Sequence, residues 1–326
     1  MCGIAGFVNF AGHDRKTALE ELRRMTDVLV HRGPDAEGFF ADSYSALGHR
    51  RLAIIDIDTG QQPMSDLGGQ LQISFNGEIY NFQQLKIELE AAGHRFHTKS
   101  DTEVILKAYI EWGEQCVERL NGMFAFAIWD ARHKRLLLAR DRVGKKPLYY
   151  QRLGDTVVFA SELKALTAHG LHPAEVDPES LDCYLTMGYI PAPRTIYSGV
   201  KKLLPAHILV RAESGNVERQ YWDLDFSNPG DIPLDQAVDE FEELLDDAVR
   251  CRMLSEVPLG AFLSGGLDSS LVVSSMAKMQ DSPVLTHTIG FENSEFTEID
   301  VARAISSHLD SNHHELIVRP HAADIL

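Results

Sequence analysis

The sequence predicts two domains of different class, an α+β domain followed by a parallel-sheet α/β domain. Three observations predict this. The chain has 326 residues, enough for about two domains that each bury a core. Its first two thirds mix short strand-like runs with helix-like stretches. After a polar, turn-rich segment, strand-like and helix-like segments alternate, the pattern of a parallel sheet with crossover helices. The expected boundaries are 2–216 for the first domain, 217–235 for a linker and 236–326 for the second domain.

Taken in order, Ile4 to Val8, Leu71 to Phe75, Met123 to Trp129, Arg135 to Ala139 and Thr156 to Ala160 read as strands, because each is a short apolar run. Thr17 to Leu29, Phe82 to Ala92 and Thr102 to Trp112 read as helices. Between Asp223 and Pro233 the chain is polar and rich in turn formers, which makes it linker material. Beyond it, Ala237, Phe241, Leu244, Leu245, Ala248 and Val249 keep helical spacing. Then Leu259 to Leu263, Val284 to Gly290 and Leu316 to Val318 read as strands. Ser270 to Met279 and Glu298 to Leu309 read as the helices between them. No internal repeat or low-complexity segment interrupts the pattern.

Composition narrows the partners. Hydrophobic residues make up 44% of the chain and charged residues 24%, ordinary for a globular protein. The net charge of -17 argues against a nucleic-acid surface, which needs clustered Lys and Arg; basic residues form doublets at most, as in Arg50-Arg51 and Lys145-Lys146. Cys2, Cys116, Cys183 and Cys251 are widely spaced, indicating neither a zinc site nor a disulfide framework. The His313-His314 pair is too local for a metal site and reads as the start of a strand or a loop. No segment has the length of a signal or membrane span, so the expected setting is cytoplasmic, with no membrane contact and reduced thiols.

Two segments carry chemistry. In Met1-Cys2-Gly3-Ile4-Ala5-Gly6, removal of Met1 leaves a thiol and a free α-amine on one residue. With reference pKa values of about 8.5 and about 7.7–8.0, the amine can take the thiol proton and later return it to a leaving group. In Pro258-Leu259-Gly260-Ala261-Phe262-Leu263-Ser264-Gly265-Gly266-Leu267-Asp268-Ser269-Ser270, a Ser-Gly-Gly turn joins a strand to a helix N-terminus. The glycines allow close backbone approach, and the hydroxyls and the helix end offer donors to a phosphate. It is neither a Walker loop nor a dinucleotide fingerprint; a Gly-rich helix cap is the competing reading.

Together these segments resemble the glutamine-hydrolysing asparagine synthetases. The resemblance extends through His31-Arg32-Gly33-Pro34-Asp35, His49-Arg50-Arg51-Leu52, Phe75-Asn76-Gly77-Glu78-Ile79-Tyr80, Ser100-Asp101-Thr102-Glu103 and Ala139-Arg140-Asp141-Arg142-Val143-Gly144-Lys145-Lys146-Pro147. It implies an N-terminal-nucleophile αββα sandwich with Cys2 at the end of the first strand. After it would come the start of an adenine-nucleotide α-hydrolase-like α/β domain. It implies that Cys2 attacks the glutamine side-chain amide and that the Asn76 amide and the Gly77 N–H hold the oxyanion. Arg51 would take the substrate α-carboxylate and Asp101 its α-ammonium, with Glu78 beside them. Arg51 as a surface residue, Asn76 and Gly77 as a turn and Asp101 as a helix N-cap remain the structural alternatives. For the second domain the resemblance implies ATP on Leu263, Ser264, Gly265, Gly266, Asp268, Ser269 and Ile289. Mg2+ would be organised by Asp268, which could equally cap the helix.

The resemblance implies aspartate as acceptor, adenylated and then amidated by the released ammonia. Another carboxylate acceptor, on a polysaccharide or a secondary metabolite, and a glutaminase-only or non-catalytic remnant stay open, as does the oligomeric state, a homodimer included. The family's synthetase domain is longer than residues 236–326, its later Ser-Gly-Glu-Gly-Ser-Asp-Glu type motif is not present, and the chain stops at Asp324-Ile325-Leu326. The expectation is therefore a C-terminally truncated member: a glutaminase-competent domain joined to an incomplete synthetase half.

Overall fold

Two stacked six-stranded sheets organise the first of two units, Met1–Asp225 and Phe226–Leu326, in a computed structural model that describes residues 1–171, 174–213, 215–227, 230–291 and 298–318. Strand β1 (Gly3–Asn9) is followed by α1 (Arg15–Asp27), whose N-cap Asp14 accepts the Thr17 N–H at 2.9 Å. Next come β2 (Ala36–Ala41), β3 (Ser45–Arg51), β4 (Met64–Ser65) and β5 (Leu71–Ile79). Helices α2 (Phe82–Ala91), α3 (Asp101–Trp112) and the single turn α4 (Cys116–Arg119) follow. The unit continues with β6 (Gly122–Asp130), β7 (Arg135–Arg140), β8 (Tyr149–Leu153), β9 (Thr156–Ala160), α5 (Leu163–Thr167) and α6 (Pro178–Met187). It ends with β10 (Val200–Lys202), β11 (His207–Ala212) and β12 (Gly215–Gln220).

The first sheet has the order β10-β8-β9-β1-β3-β2 and the second β12-β11-β7-β6-β5-β4. Side-chain alternation stacks them. On β6, Ala125, Ala127 and Trp129 face a core that also holds Ile4, Val8 and Leu47 of the first sheet. Phe124, Phe126 and Ile128 face the other way, against Leu85 and Leu89 of α2 and Ile105 of α3. On β1, Ala5 and Phe7 join Ala18, Leu22 and Met25 of α1 in a third core. The layers are thus helix, sheet, sheet, helix, the expected αββα sandwich.

The expected strands and helices appear within a few residues of their anticipated bounds, with one difference at the boundary. Residues 217–220, read as the start of the linker, belong to β12, which pairs with β11 from His207↔Gln220 to Ala212↔Gly215. Exposed, polar Asn216, Glu218 and Gln220 hide an edge strand from a reading based on apolar runs.

In the second unit, α7 (Leu234–Arg250), β13 (Gly260–Phe262), α8 (Leu267–Met279), β14 (Leu285–Phe291), α9 (Ile299–His308) and β15 (Asn312–Val318) form a parallel sheet in the order β13-β14-β15 with its helices. Val249, Leu263, Val273, Met276, Val284 and Ala302 make its core. β15 starts four residues before the expected Leu316 and takes in His313 and His314. The Asp324–Leu326 end lies outside the described residues.

Candidate active site

The chain direction brings Cys2 to the mouth of the first unit, one residue before β1. Its carbonyl accepts the Arg32 Nε–H at 2.9 Å, and Arg32 is held in turn by Glu162 at 3.0 Å. The Cys2 Sγ accepts the Leu52 N–H at 3.4 Å and lies 3.6 Å from the Leu52 carbonyl oxygen. Leu52 directly follows β3, whose pairing with β1 aligns Gly3 with Arg50; register alone therefore sets the thiol against this loop.

Burial pushes the Cys2 thiol up from its ordinary value, while the Leu52 contact and the charges of the N-terminal amine, Arg51 and Lys146 pull it down. Burial lowers the N-terminal amine, here that of Met1, and Lys146 and Arg32 lower it further against the raising effect of Cys2 and Asp35. With Met1 in place, the thiol is thus drawn up and the neighbouring terminal amine down.

A cavity of about 200 Å³ opens beside the thiol. Cys2, Arg51, Asn76, Gly77, Glu78 and Asp101, all expected from the sequence, line it together. Asn76 is buried, and its side-chain Nδ2 has no hydrogen-bond partner among the described residues. A buried amide donor left unmade is expensive, and one facing a cavity beside a nucleophile is a ready oxyanion donor.

Gly77 is glycine for a reason other than close approach to a ligand. A Cβ there would stand 2.2 Å from the Met123 carbonyl oxygen and 2.8 Å from Phe124 Cα, so it is β6, paired through Gly77↔Phe124, that requires the missing side chain.

Arg51 is buried, not a surface residue. Its guanidinium donates to the carbonyl oxygens of Ile55, Asp56 and Ile57 at 3.2, 2.6 and 2.9 Å, which fixes the loop forming one wall. Asp56 in turn accepts the Lys99 N–H at 3.0 Å and ties that wall to the segment entering α3.

There, Ser100 is the N-cap, accepting the Thr102 N–H at 3.2 Å. Asp101 is therefore the first helical residue and not the cap. Its carboxylate accepts the Ile79 N–H at 3.0 Å. Burial, opposed by that hydrogen bond and reinforced by the neighbouring Glu78, pushes its pKa up to about 7.

Lys146, which also lines the cavity, is not singled out as a site residue by the sequence, where it shows as half of a basic doublet and inside the Ala139–Pro147 stretch.

The second set gathers around one turn. Ser264, Gly265 and Gly266 lie between β13 and α8, and Asp268 and Ser269 are in the first turn of α8. Gly265 has φ +86, and a Cβ there would meet Val301 Cβ and the Ala302 backbone nitrogen at 3.0 Å, so this position requires glycine. The Ser264 and Ser269 hydroxyls lie 3.1 Å apart. Gly266 is the N-cap of α8 and makes no side-chain cap, and Asp268 is exposed in the first turn. Leu263 donates its N–H to the His287 carbonyl oxygen at 2.9 Å. Ile289 is on β14, paired with Leu316. An uncapped helix end behind two hydroxyls suits a phosphate group. Among the described residues no cluster of three His, Cys, Asp or Glu side chains is placed to hold a metal ion, and no helix is long and apolar enough to cross a membrane.

Residues 1–222 match the glutamine amidotransferase domain family and residues 240–326 the asparagine synthase family. The chain is 40% identical over 98% of its length to asparagine synthetase [glutamine-hydrolyzing] 1 of Bacillus subtilis, covering 50% of that protein. It is 35% identical over 86% of its length to amidase chry2 of Gibberella zeae, covering 43% of it. The chain spans about half the length of such curated relatives. Among solved structures, glutamine phosphoribosylpyrophosphate amidotransferase from B. subtilis shares the fold, with a TM-score of 0.50 at 19% identity over 99% of this chain and 70% of that one. A sandwich that places Cys2 on a cavity shared with Arg51, Asn76 and Asp101, and a match to residues 1–222, place the chain in the glutamine amidotransferase domain family.

Proposed function

We propose that this chain carries the glutaminase site and the first nucleotide-binding elements of a glutamine-dependent asparagine synthetase. Cys2 hydrolyses glutamine to glutamate and ammonia, and an ATP-dependent half amidates aspartate. The observation that carries the first part is the single cavity shared by the Cys2 thiol, the unpartnered Asn76 amide, Arg51 and Asp101. With Met1 removed, the α-amine takes the thiol proton as Sγ attacks the side-chain amide carbon of glutamine. Asn76 Nδ2 and the Gly77 N–H stabilise the oxyanion. As the C–N bond breaks, the amine returns its proton to the leaving nitrogen, and water then cleaves the thioester to release glutamate. Arg51 and Asp101 hold the α-carboxylate and α-ammonium of the substrate, opposite charges for opposite charges.

ATP, whose use the asparagine synthase match implies, supplies activation of the acceptor carboxylate. Ser264, Gly265, Gly266 and Ser269 would hold its phosphates, Leu263 and Ile289 would lie along the adenosine, and Asp268 would organise Mg2+. The same reading places the protein in the cytoplasm, where Cys2 stays reduced.

The test is glutamine hydrolysis by the purified chain, with Cys2→Ala as control and the N-terminal mass determined on the same sample. Glutamate release that disappears in Cys2→Ala is the expected result; no release from folded protein lacking Met1 would overturn the glutaminase assignment.

A further inference from the structure

Lys146 occupies a built position. Its side chain is only 7% exposed and lines the cavity together with Cys2 and Glu78. Among the described residues its ammonium has neither a hydrogen bond nor an ion pair.

What holds it there is the backbone. Fully buried Asp141 accepts the N–H groups of Lys145 at 2.8 Å and Lys146 at 2.9 Å, and that of Phe124 on β6 at 3.2 Å. Arg140 donates to the carbonyl oxygens of Lys146 at 2.8 Å, Gly144 at 2.7 Å and Leu203 at 2.6 Å. One Arg-Asp dipeptide therefore grips residue 146 by its N–H and by its C=O. Burial of most of this side chain costs its ammonium hydration without giving it a partner, so a loop clasped this firmly fixes a direction that the side chain would not adopt for its own stability.

The charges facing the nucleophile come from several elements. Arg32, from the turn after α1, and Arg51, from β3, are positive. Asp35, Glu78 on β5 and Asp101 on α3 carry carboxyl groups. Arg32 donates to the Cys2 carbonyl and Glu162, with its Nη2 unpartnered among the described residues, and Arg51 donates to three loop carbonyls, its remaining N–H groups being those assigned to the substrate carboxylate. Among the described residues Lys146 is the cation of this group without a hydrogen-bonded partner; its charge acts on the Cys2 thiol and, with Met1 in place, on the terminal amine next to it.

We propose that Lys146 is a positioning residue that acts through Cys2: clasped by Arg140 and Asp141, its ammonium supplies the positive field against which the thiolate forms and the α-amine gives up its proton. The inference rests on the glutaminase reading and adds a charge-setting residue to it.

The experiment uses the full chain with Met1 removal verified by mass, as wild type, Lys146→Met and Lys146→Arg. Lys146→Gln replaces the Met variant if that does not fold. Two pH profiles are measured: kcat/KM for glutamine, and the rate of iodoacetamide alkylation of Cys2 followed on its own peptide. In Lys146→Met the acid limb of both profiles is expected to move to higher pH by about one unit, and Lys146→Arg is expected to return it. A fall in rate with both limbs unmoved, or a rise in KM alone, would overturn the proposal, since a structural role or a contact to the substrate carboxylate would give those results. Should the wild type fail to hydrolyse glutamine, the glutaminase reading falls at the first profile, while the alkylation profile still decides the role of Lys146.

Discussion

Asn76 and Asp101 show how single residues set the chemistry. Among the described residues Asn76 keeps a buried donor without an acceptor, the arrangement that an anion forming beside it would satisfy. Asn76→Ala is expected to lower kcat by about 10²–10³, or about 2.7–4 kcal/mol, with KM little changed, and steady-state kinetics on Met1-free protein would show it. Asp101 makes a prediction about pH. With its pKa pushed up from 3.8 to about 7 by burial, the carboxyl of the empty site is mostly neutral at pH 6 and cannot attract the substrate α-ammonium. KM for glutamine should therefore rise as pH falls below about 7, and in Asp101→Asn it should be high and independent of pH over this range. The sign for stability is the opposite. The folded state binds this proton more tightly than the unfolded state does, so the stability it contributes is complete below about 4 and is lost as pH rises toward 7. Thermal midpoints of the ligand-free protein should decline over that window, and Asp101→Asn should flatten the decline.

At the scale of elements, the cavity is a meeting of segment ends: the start of β1, the loop after β3, β5 and the start of α3. The last is set by one hydroxyl, that of Ser100, on the Thr102 N–H. Ser100→Ala should destabilise the first unit by about 1 kcal/mol in denaturant titration. It should also raise KM for glutamine, because the residue it releases neighbours Asp101. Such ends explain what the sequence made legible. β1, β5, β6, β7 and β9 show as apolar runs, and α1 to α3 by helical spacing, because each buries a face against a core. β2 was not anticipated as a strand and β3 only as the strand of a surface Arg51, since Glu37, His49, Arg50 and Arg51 interrupt their apolar character. The polar edge strand β12 ran into the expected linker for the same reason. The six residues of the glutaminase set were legible through motifs. The clasp of Arg140 and Asp141 on Lys146 was not, because it depends on which peptide groups a buried carboxylate and a guanidinium reach in three dimensions. Gly77 was legible as a requirement but not in its cause, which lies on the neighbouring strand β6.

For the whole molecule, the contrast between the two units leads to a prediction about how the chain unfolds. The three cores of Met1–Asp225 together bury large side chains such as Trp129, Phe124, Phe126, Phe159 and Tyr150, each worth about 1.5–3 kcal/mol or more when fully buried. Among the described residues of Phe226–Leu326 the core cluster holds six buried side chains, none aromatic, while on its strands Phe262 is 77% and Leu316 60% exposed. Buried apolar area is the dominant favourable contribution to folding, so the first unit should be the more stable. Calorimetry of the full chain should show two transitions, the weaker at lower temperature. A piece comprising residues 1–225 should reproduce the stronger transition and, once Met1 is removed, hydrolyse glutamine, because every residue lining the Cys2 cavity belongs to it. A single cooperative transition for the full chain, together with a 1–225 piece that fails to fold, would show that the sandwich depends on the second unit for its stability. Loss of glutaminase activity in a 1–225 piece that does fold would show that the second unit acts on the site, and not only on the fold.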